Sequence, residues 1–450
     1  MKPVTNIESA EPTGAGVPAS PRALARRRSQ RGVALVTVLI AIAITLVISN
    51  EFGTATSTDL VAAANYRDQM RAHFLARSAV NFGELVIRIQ QRLDNIKMLA
   101  GQVQITDYAD QLVLPFCGGA EEVQAAVGFS PGAIKGLGAD IGTCGFNGPL
   151  ATEDDKINLN CANVQASWAT LKSALDALVY FPAYDNVFDD NDAEGWHRDR
   201  AMQVAAIMDY IDSDTMHIKD RGTSEDYNYE SLKDRYYAKN NYLDTPGELR
   251  LARGVDDRFW TLFGSAFTVY GSCKTNLSVI TNTQLIAAIL YLSAKNPTDP
   301  VLLDPRRLFL LASYVAKARQ FGEIFLKNDD FIAFVKDPAA SVGSLATQGG
   351  MAGSAATAAL GAGLPGLQPG EKLGLELDPA KLAQIASTGP RRTYHVEAYG
   401  EIERKQKNKD GSPVFPPIRS TVTGVWDTKV VPQNVRKPVP KGAWVFLRED

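Results

Sequence analysis

Carboxylates crowd into the eighteen residues from Asp209 to Asp226, and five of them stand out as candidate ligands: Asp209, Asp212, Asp214, Glu225 and Asp226. The preceding AAIMDYIDSD reads as the end of a helix, which sets Asp209 and Asp212 three apart on one face at its C-terminus. Carboxylates there oppose the helix dipole, whose C-terminal end favours cations. Lys219 or Arg221 could supply that charge as an ordinary ion pair. Alternatively, clustered oxygen donors, with no Cys and His217 alone among them, suit a hard cation, which outside the cytoplasm means calcium.

Other chemical patterns are weaker. GFSPG, Gly128 to Gly132, matches the G-x-S-x-G nucleophile elbow, but that motif needs a strand before it and a helix after it. Pro131 and the preceding EEVQAAV fit neither. DNDAEG from Asp190 copies the first six positions of an EF-hand loop, yet the twelfth position is Ala201 where a bidentate Glu is needed. It reads as a solvated acidic loop. His73, His197, His217 and His395 form no HExxH and no triad spacing, and no enzyme is expected. A net charge of −3 suggests no polyanion-binding surface.

The elements that must position the carboxylates begin with a membrane helix. From Val33 to Ser49 no residue is charged. The run falls slightly short of the roughly 20 residues a bilayer core wants, and in lipid it must be helical. Arg22, Arg26, Arg27, Arg28 and Arg31 precede it, so the N-terminus is expected in the cytoplasm and the bulk in the periplasm. The basic leader ends at Gly32 and the apolar run starts at Val33. A secretory signal is cut after its apolar run, whereas a cut after Gly32 would keep the helix on the mature chain. That layout is similar to a type IV prepilin signal, and an uncleaved signal anchor is the plainer alternative. Beyond the membrane, Leu75, Ala79, Phe82, Val86, Ile89, Leu93 and Ile96 form a 3.5-residue seam, with Gly53 and Gly83 as expected soft points in a helix reaching about Leu99.

Cys117, Cys144, Cys161 and Cys273 all follow the membrane run and meet an oxidising space. They allow three pairings; Cys117–Cys144 with Cys161–Cys273 is expected, mostly because the first closes a Gly-rich excursion. Residues 1–25 read as a disordered leader. KINLN from Lys156 reads as a short strand, and helices are expected over Gln165–Leu178, Asp199–Tyr210 and Pro305–Lys327. Thr245-Pro246-Gly247-Glu248 and Thr281-Asn282-Thr283-Gln284 read as capping boxes. Residues 339–370 read as a flexible Gly/Ala/Ser linker. TYHVEAYGEIER and IRSTVTGVW read as two strands, with Asp410-Gly411 as turn chemistry between them and an extended Pro-rich tail beyond Val431.

Taken together, the Gly32–Val33 junction, KINLN, DYIDSD with SEDYNY, YLDTPGELRLARGV and CKTNLSVITNTQLIAAIL resemble the minor pseudopilin K (GspK) family of type II secretion systems. The resemblance covers roughly 31–335 and the C-terminal strands. It implies an α+β, type IV pilin-like fold with a large inserted, SAM-like α-helical domain. The corresponding division is a leader over 1–32, an N-terminal helix over 33–100, a first pilin-like part over 101–164, a helical insertion over 165–335, a linker over 336–372 and a C-terminal β part over 373–450. It also implies calcium on Asp209, Asp212, Asp214, Glu225 and Asp226, and prepilin peptidase processing and methylation. The long leader, the 117–144 excursion and the 339–370 linker depart from the family pattern.

The family resemblance further implies a place at the tip of a pseudopilus in the inner membrane. Implied partners are minor pseudopilins of the I, J and H types, the major pseudopilin, the secretion platform and prepilin peptidase. Thr37 stands where most pilin-like subunits carry Glu, whose carboxylate neutralises a neighbour's amino terminus in the apolar fibre core. Phe82 and Ile89 are the expected assembly contacts on the seam. Two rival readings are a membrane-anchored periplasmic hydrolase, resting on GFSPG, and a helix-hairpin-helix DNA-binding protein. The second would need a basic hairpin, and Asp256 and Asp257 stand there instead, so no nucleic acid is expected.

Overall fold

The computed structural model describes residues 21–96, 103–117, 142–191, 195–218, 224–230, 232–320, 325–338, 373–404, 416–431 and 441–450. The GFSPG stretch, the Asp410-Gly411 turn, the 339–370 linker, and Lys219 and Arg221 lie outside them. Two compact units are separated after Asp68.

Helix α1, Pro21–Asp94, is continuous. It starts inside the stretch read as disordered leader and stops five residues short of Leu99. Neither glycine interrupts it. An added Cβ at Gly53 would meet nothing within 4 Å, whereas one at Gly83 would press on the Phe146 ring at 3.2 Å, so Gly83 permits close packing and is no hinge. The apolar window after Val33 has a mean hydropathy of 2.5 and is 0% buried. Among the described residues this is the single helix long and apolar enough to cross a membrane.

In the second unit, the last turns of α1 lie on an antiparallel sheet. Its strands are β1 (Thr143–Phe146), β2 (Ala151–Thr152), β3 (Thr393–Ile402), β4 (Ile418–Asp427) and β5 (Ala443–Glu449). The order is β1-β3-β4-β5, with β2 also paired to β3. β3 and β4, the two strands read from the sequence, pair from Thr393↔Asp427 to Ile402↔Ile418. Their period-2 pattern sends Tyr394, Val396, Ala398 and Val422 inward, where they meet Ala76, Ala79, Val80, Val86 and Ile87 of α1. A Cβ at Gly400 would sit 2.0 Å from the Ala72 carbonyl, so only glycine lets the helix backbone approach β3 this closely. β5 lies in the tail read as merely extended.

The helical seam needs correction. Ala79 and Val86 are buried as expected, but Ile89 and Ile96 are exposed, and Ala72, Ala76, Val80 and Ile87 are buried instead. A 3.5-residue seam drifts by about 20° per heptad on a straight helix, so the packed stripe follows the 3.6 period.

The larger core belongs to a helical region. Its helices include α3 (Gln165–Val179), α4 (Arg200–Ile211), α5 (Thr283–Ser293), α6 (Pro305–Gln320) and α7 (Asn328–Lys336); α2 (Ala109–Cys117) packs with the sheet instead. Phe259, Phe263, Tyr229, Phe325 and Phe331 fill the interior. KINLN contributes a two-residue strand, Ile157–Asn158, parallel to Phe267–Thr268, then tightens into a 3-10 turn. The core also takes in Leu375, Leu377 and Leu382, so the chain after residue 373 packs here before it enters β3. Both expected capping signals change form. Thr245 and Glu248 pair as a box, with Thr245 N–H donating to Glu248 Oε1 at 2.8 Å, but on a 3-10 turn, Pro246–Leu251. At α5 the cap is Asn282, whose side chain accepts from the amides of Gln284 and Leu285. The expected Pro305–Lys327 helix ends at Gln320, and a separate α7 begins at Asn328. Disulfides join Cys117 to Cys144 and Cys161 to Cys273, with Cα separations of 4.7 and 5.7 Å.

Candidate functional site

α4 delivers the acidic cluster. Its N-cap is Asp199, whose carboxylate accepts from the Met202 amide, and its buried run extends to Ile211. Two asparagines satisfy carbonyls at its far end: Asn163 Nδ2 donates to Ile211 O at 3.0 Å, and the Asn240 amide donates to Tyr210 O at 3.1 Å. With the carbonyls so occupied, the carboxylates are left facing one another. Asp212 caps the helix with extended backbone, and the chain returns through an antiparallel bridge between Met216 and Ser224 that sets Glu225 opposite.

Asp212, Asp214 and Glu225 each offer an oxygen within 4.8 Å of the others. Asp209 and Glu225 are 0% exposed. One oxygen of Asp209 accepts from the Ile218 amide at 3.0 Å, and one of Asp212 accepts from Trp168 Nε1 at 3.1 Å. Among the described residues, Asp209 Oδ2, Asp212 Oδ1 and both oxygens of Glu225 have no hydrogen-bond donor. His217 Nε2 lies 3.6 Å from Asp209 Oδ2. Asp226 is turned elsewhere: its Oδ1 accepts from the Ala238 amide at 3.1 Å. Thus three of the five expected residues come together, Asp209 backs them within the helix, and Asp226 serves the fold.

Burial, reinforced by the neighbouring carboxylates, pushes Glu225 up to about 9 and Asp209 up to about 7. For Asp212 burial raises the value to about 6 against the Trp168 hydrogen bond. A protein does not ordinarily bury several carboxylate oxygens without donors, since each costs about 1–3 kcal/mol or more. Asp212, Asp214 and Glu225 bring carboxylate oxygens together, several of them unpartnered, and that oxygen set fits a hard divalent cation such as calcium. Trp168 and Asn240 are the supporting residues that local sequence reasoning passes over. Asn240 adopts a left-handed conformation, φ 46°, which asparagine tolerates.

The membrane-proximal residues are simpler. Gly32 and Val33 lie within α1, and Val33 is exposed. Thr37 is exposed and spends its hydroxyl on its own helix, donating to the carbonyls of Val33 (3.2 Å) and Ala34 (2.9 Å). Phe82 is half-buried and packs on Phe116 with centroids 5.1 Å apart, whereas Ile89 faces outward.

Residues 157–270, which hold the whole acidic cluster, match the family described as Type II secretion system (T2SS), protein K. That match runs from the KINLN strand to Tyr270, about a quarter of the chain. A solved structure, the GspK–GspI–GspJ complex from the enterotoxigenic Escherichia coli type 2 secretion system, is similar at 13% identity over 69% of this chain and 80% of that chain, with a TM-score of 0.39. A search of curated proteins finds no match. Over that stretch the chain is similar to a type II secretion protein K. Its long apolar helix and antiparallel sheet make the α+β, pilin-like architecture expected of one.

Proposed function

We propose that the chain is a minor pseudopilin at the tip of a type II secretion pseudopilus, an assembly subunit with no catalytic role. The observation that carries this reading is Thr37. Its hydroxyl is engaged by its own helix and bears no charge, so it cannot neutralise the amino terminus of a neighbour. An unpaired ammonium in an apolar fibre core is costly, and the cost is avoided where one neighbour is missing. The helical region of about 170 residues between 165 and 335 is also bulky for a subunit repeated along a filament. The helix from Val33 would hold the chain in the inner membrane with its N-terminus cytoplasmic, after prepilin peptidase cuts behind Gly32. Partners on this reading are the I, J and H type minor pseudopilins, the major pseudopilin and the secretion platform, met through the exposed α1 residues Phe74, Leu85 and Ile89.

Calcium belongs to the same proposal. Asp212, Asp214 and Glu225 would hold it, with Asp209 behind them, and it would tie the 212–218 turn to Glu225 across the bridge. Its role is structural: it neutralises charge that the fold has buried.

Overexpression of the processed chain alone, followed by electron microscopy, tests the tip placement. Short complexes with co-expressed minor pseudopilins are expected, together with crosslinks from Ile89. Long filaments of this protein by itself would overturn the placement.

A further inference from the structure

A cleft of about 700 Å3 opens where the end of α1, the corner at 272–276, the 387–392 segment and the β4–β5 connection meet, all within the second unit. Seven cationic side chains and two carboxylates line it. Much of this charge is already used. Arg88 pairs with Glu84 at 2.8 Å, Arg392 with Asp427 at 2.8 Å, and Arg391 with Asp107. Asp154 is committed to the amides of Arg392 and Thr393 and to the Thr393 hydroxyl. Gln90 donates to Asp94 at 2.8 Å.

What remains is a surplus of positive charge. Among the described residues Lys274 Nζ reaches a neutral acceptor, the Ala383 carbonyl, at 2.5 Å, and no carboxylate. Arg92, Lys429 and Lys441 are exposed and have no carboxylate partner among the described residues. Arg391, whose side chain is 10% exposed, keeps its Nε buried without an acceptor at the wall of the same cleft. Arg92, Lys274, Lys429 and Lys441 thus bring cations without a carboxylate partner among the described residues into one concavity. Like charges held together repel, so the arrangement favours an anion that lowers that repulsion.

We infer that this cleft binds an acidic peptide segment of a protein partner. The volume lies within the range of ligand sites, far above what a single small anion needs. Between the cations stand Gln91, Asn95, Ser272, Asn276, Ser387 and Thr388, neutral groups that both donate and accept. A main chain presents amides that need such partners, whereas its Asp and Glu side chains meet the lysines and arginines. The walls come from separate parts of the fold, so an occupant also ties the pilin-like sheet to the helical region.

The full-length chain in detergent is titrated with a fluorescein-labelled peptide alternating Glu and Ser, with a Gln–Ser peptide of equal length and with a single-stranded oligonucleotide. The Glu–Ser peptide should bind best, and raising ionic strength to about 0.5 M should weaken it strongly, because the contacts at the mouth are screened. Lys429→Glu with Lys441→Glu should lower its affinity by about tenfold or more, and Arg92→Glu should add to the loss. Equal binding of the two peptides, tighter binding of the oligonucleotide, or unchanged affinity in a charge-reversed chain of normal melting temperature would each overturn the assignment. Should the reversed variants fail to fold, Lys429→Gln with Lys441→Gln replaces them, and the comparison of peptides on the unaltered chain decides independently.

Discussion

Two buried glutamates in this molecule face the same electrostatic problem and meet it differently. Glu153, 4% exposed at the base of the sheet, has both oxygens 3.0 Å from Lys156 Nζ, and His395 Nδ1 lies 2.9 Å from Oε1. Burial pushes it up, but hydrogen bonds from His395 and the charge of Lys156 bring it below the ordinary carboxylate range. Glu225, 0% exposed, has neither oxygen paired among the described residues, and it rises to about 9. Where the fold needs a carboxylate for itself, it supplies the cation from its own chain. Around Glu225 the described residues supply no such cation, and that difference is what the proposed calcium ion would make good.

Calcium removal is the sharpest way to break this comparison. With calcium at about a hundred times its Kd, the ligand should stabilise the folded chain by about 2.7 kcal/mol relative to chelator. In a region of this size that is a rise of about 5–10 °C in Tm, read by calorimetry. Asp212→Ala with Glu225→Ala should abolish the difference. An identical Tm in calcium and in chelator would remove the metal from the site.

The next effect is the pH dependence of the chelated chain. Asp212 at about 6, Asp209 at about 7 and Glu225 at about 9 all lie above the unfolded carboxylate value near 4. The folded state therefore binds these protons more tightly than the unfolded state. The stability they contribute is fully present below about pH 4 and is lost as pH rises through about 6 to 9. Tm in chelator should fall across that window, and Glu225→Gln should flatten the fall. In calcium the trend weakens, because the metal competes with those same protons and binds better as they leave. Glu153 runs oppositely: its contribution is present above the ordinary carboxylate range and is lost as pH falls through its lowered folded value.

Lys156→Met should cost about 2 kcal/mol, since it leaves a buried carboxylate short of a charged donor. The loss should be the same in calcium and in chelator, as urea unfolding in both would show. The smallest effect sharpens the boundary of the site. Asp226→Ala removes the acceptor for the Ala238 amide and should cost about 1 kcal/mol, yet the Tm gain from calcium should survive. Loss of that gain would return Asp226 to the ligand set.

Much of this protein is legible along the chain because the relevant physics is local. An apolar run next to a basic leader has to be a membrane helix in lipid, whatever follows it. The alternating patterns of β3 and β4 and the helix of α4 declare themselves through periods of 2 and 3.6. The acidic cluster is visible because its members lie within one short stretch.

Tertiary structure decided the rest, since it depends on distances the sequence does not encode. Only packing separates Asp226, spent on Ala238, from Glu225, buried without a donor, although the two are adjacent in the chain. Only the packing of α1 on β3 chooses the stripe through Ala72, Ala76 and Ile87 over the seam ending at Ile89 and Ile96. Trp168 meets Asp212 from 44 residues away, and Lys274, Arg391 and Lys441 share a cleft although the chain scatters them widely. A local pattern fixes which residues can bury or carry charge, but the partner of each charge is settled only when distant segments close upon one another.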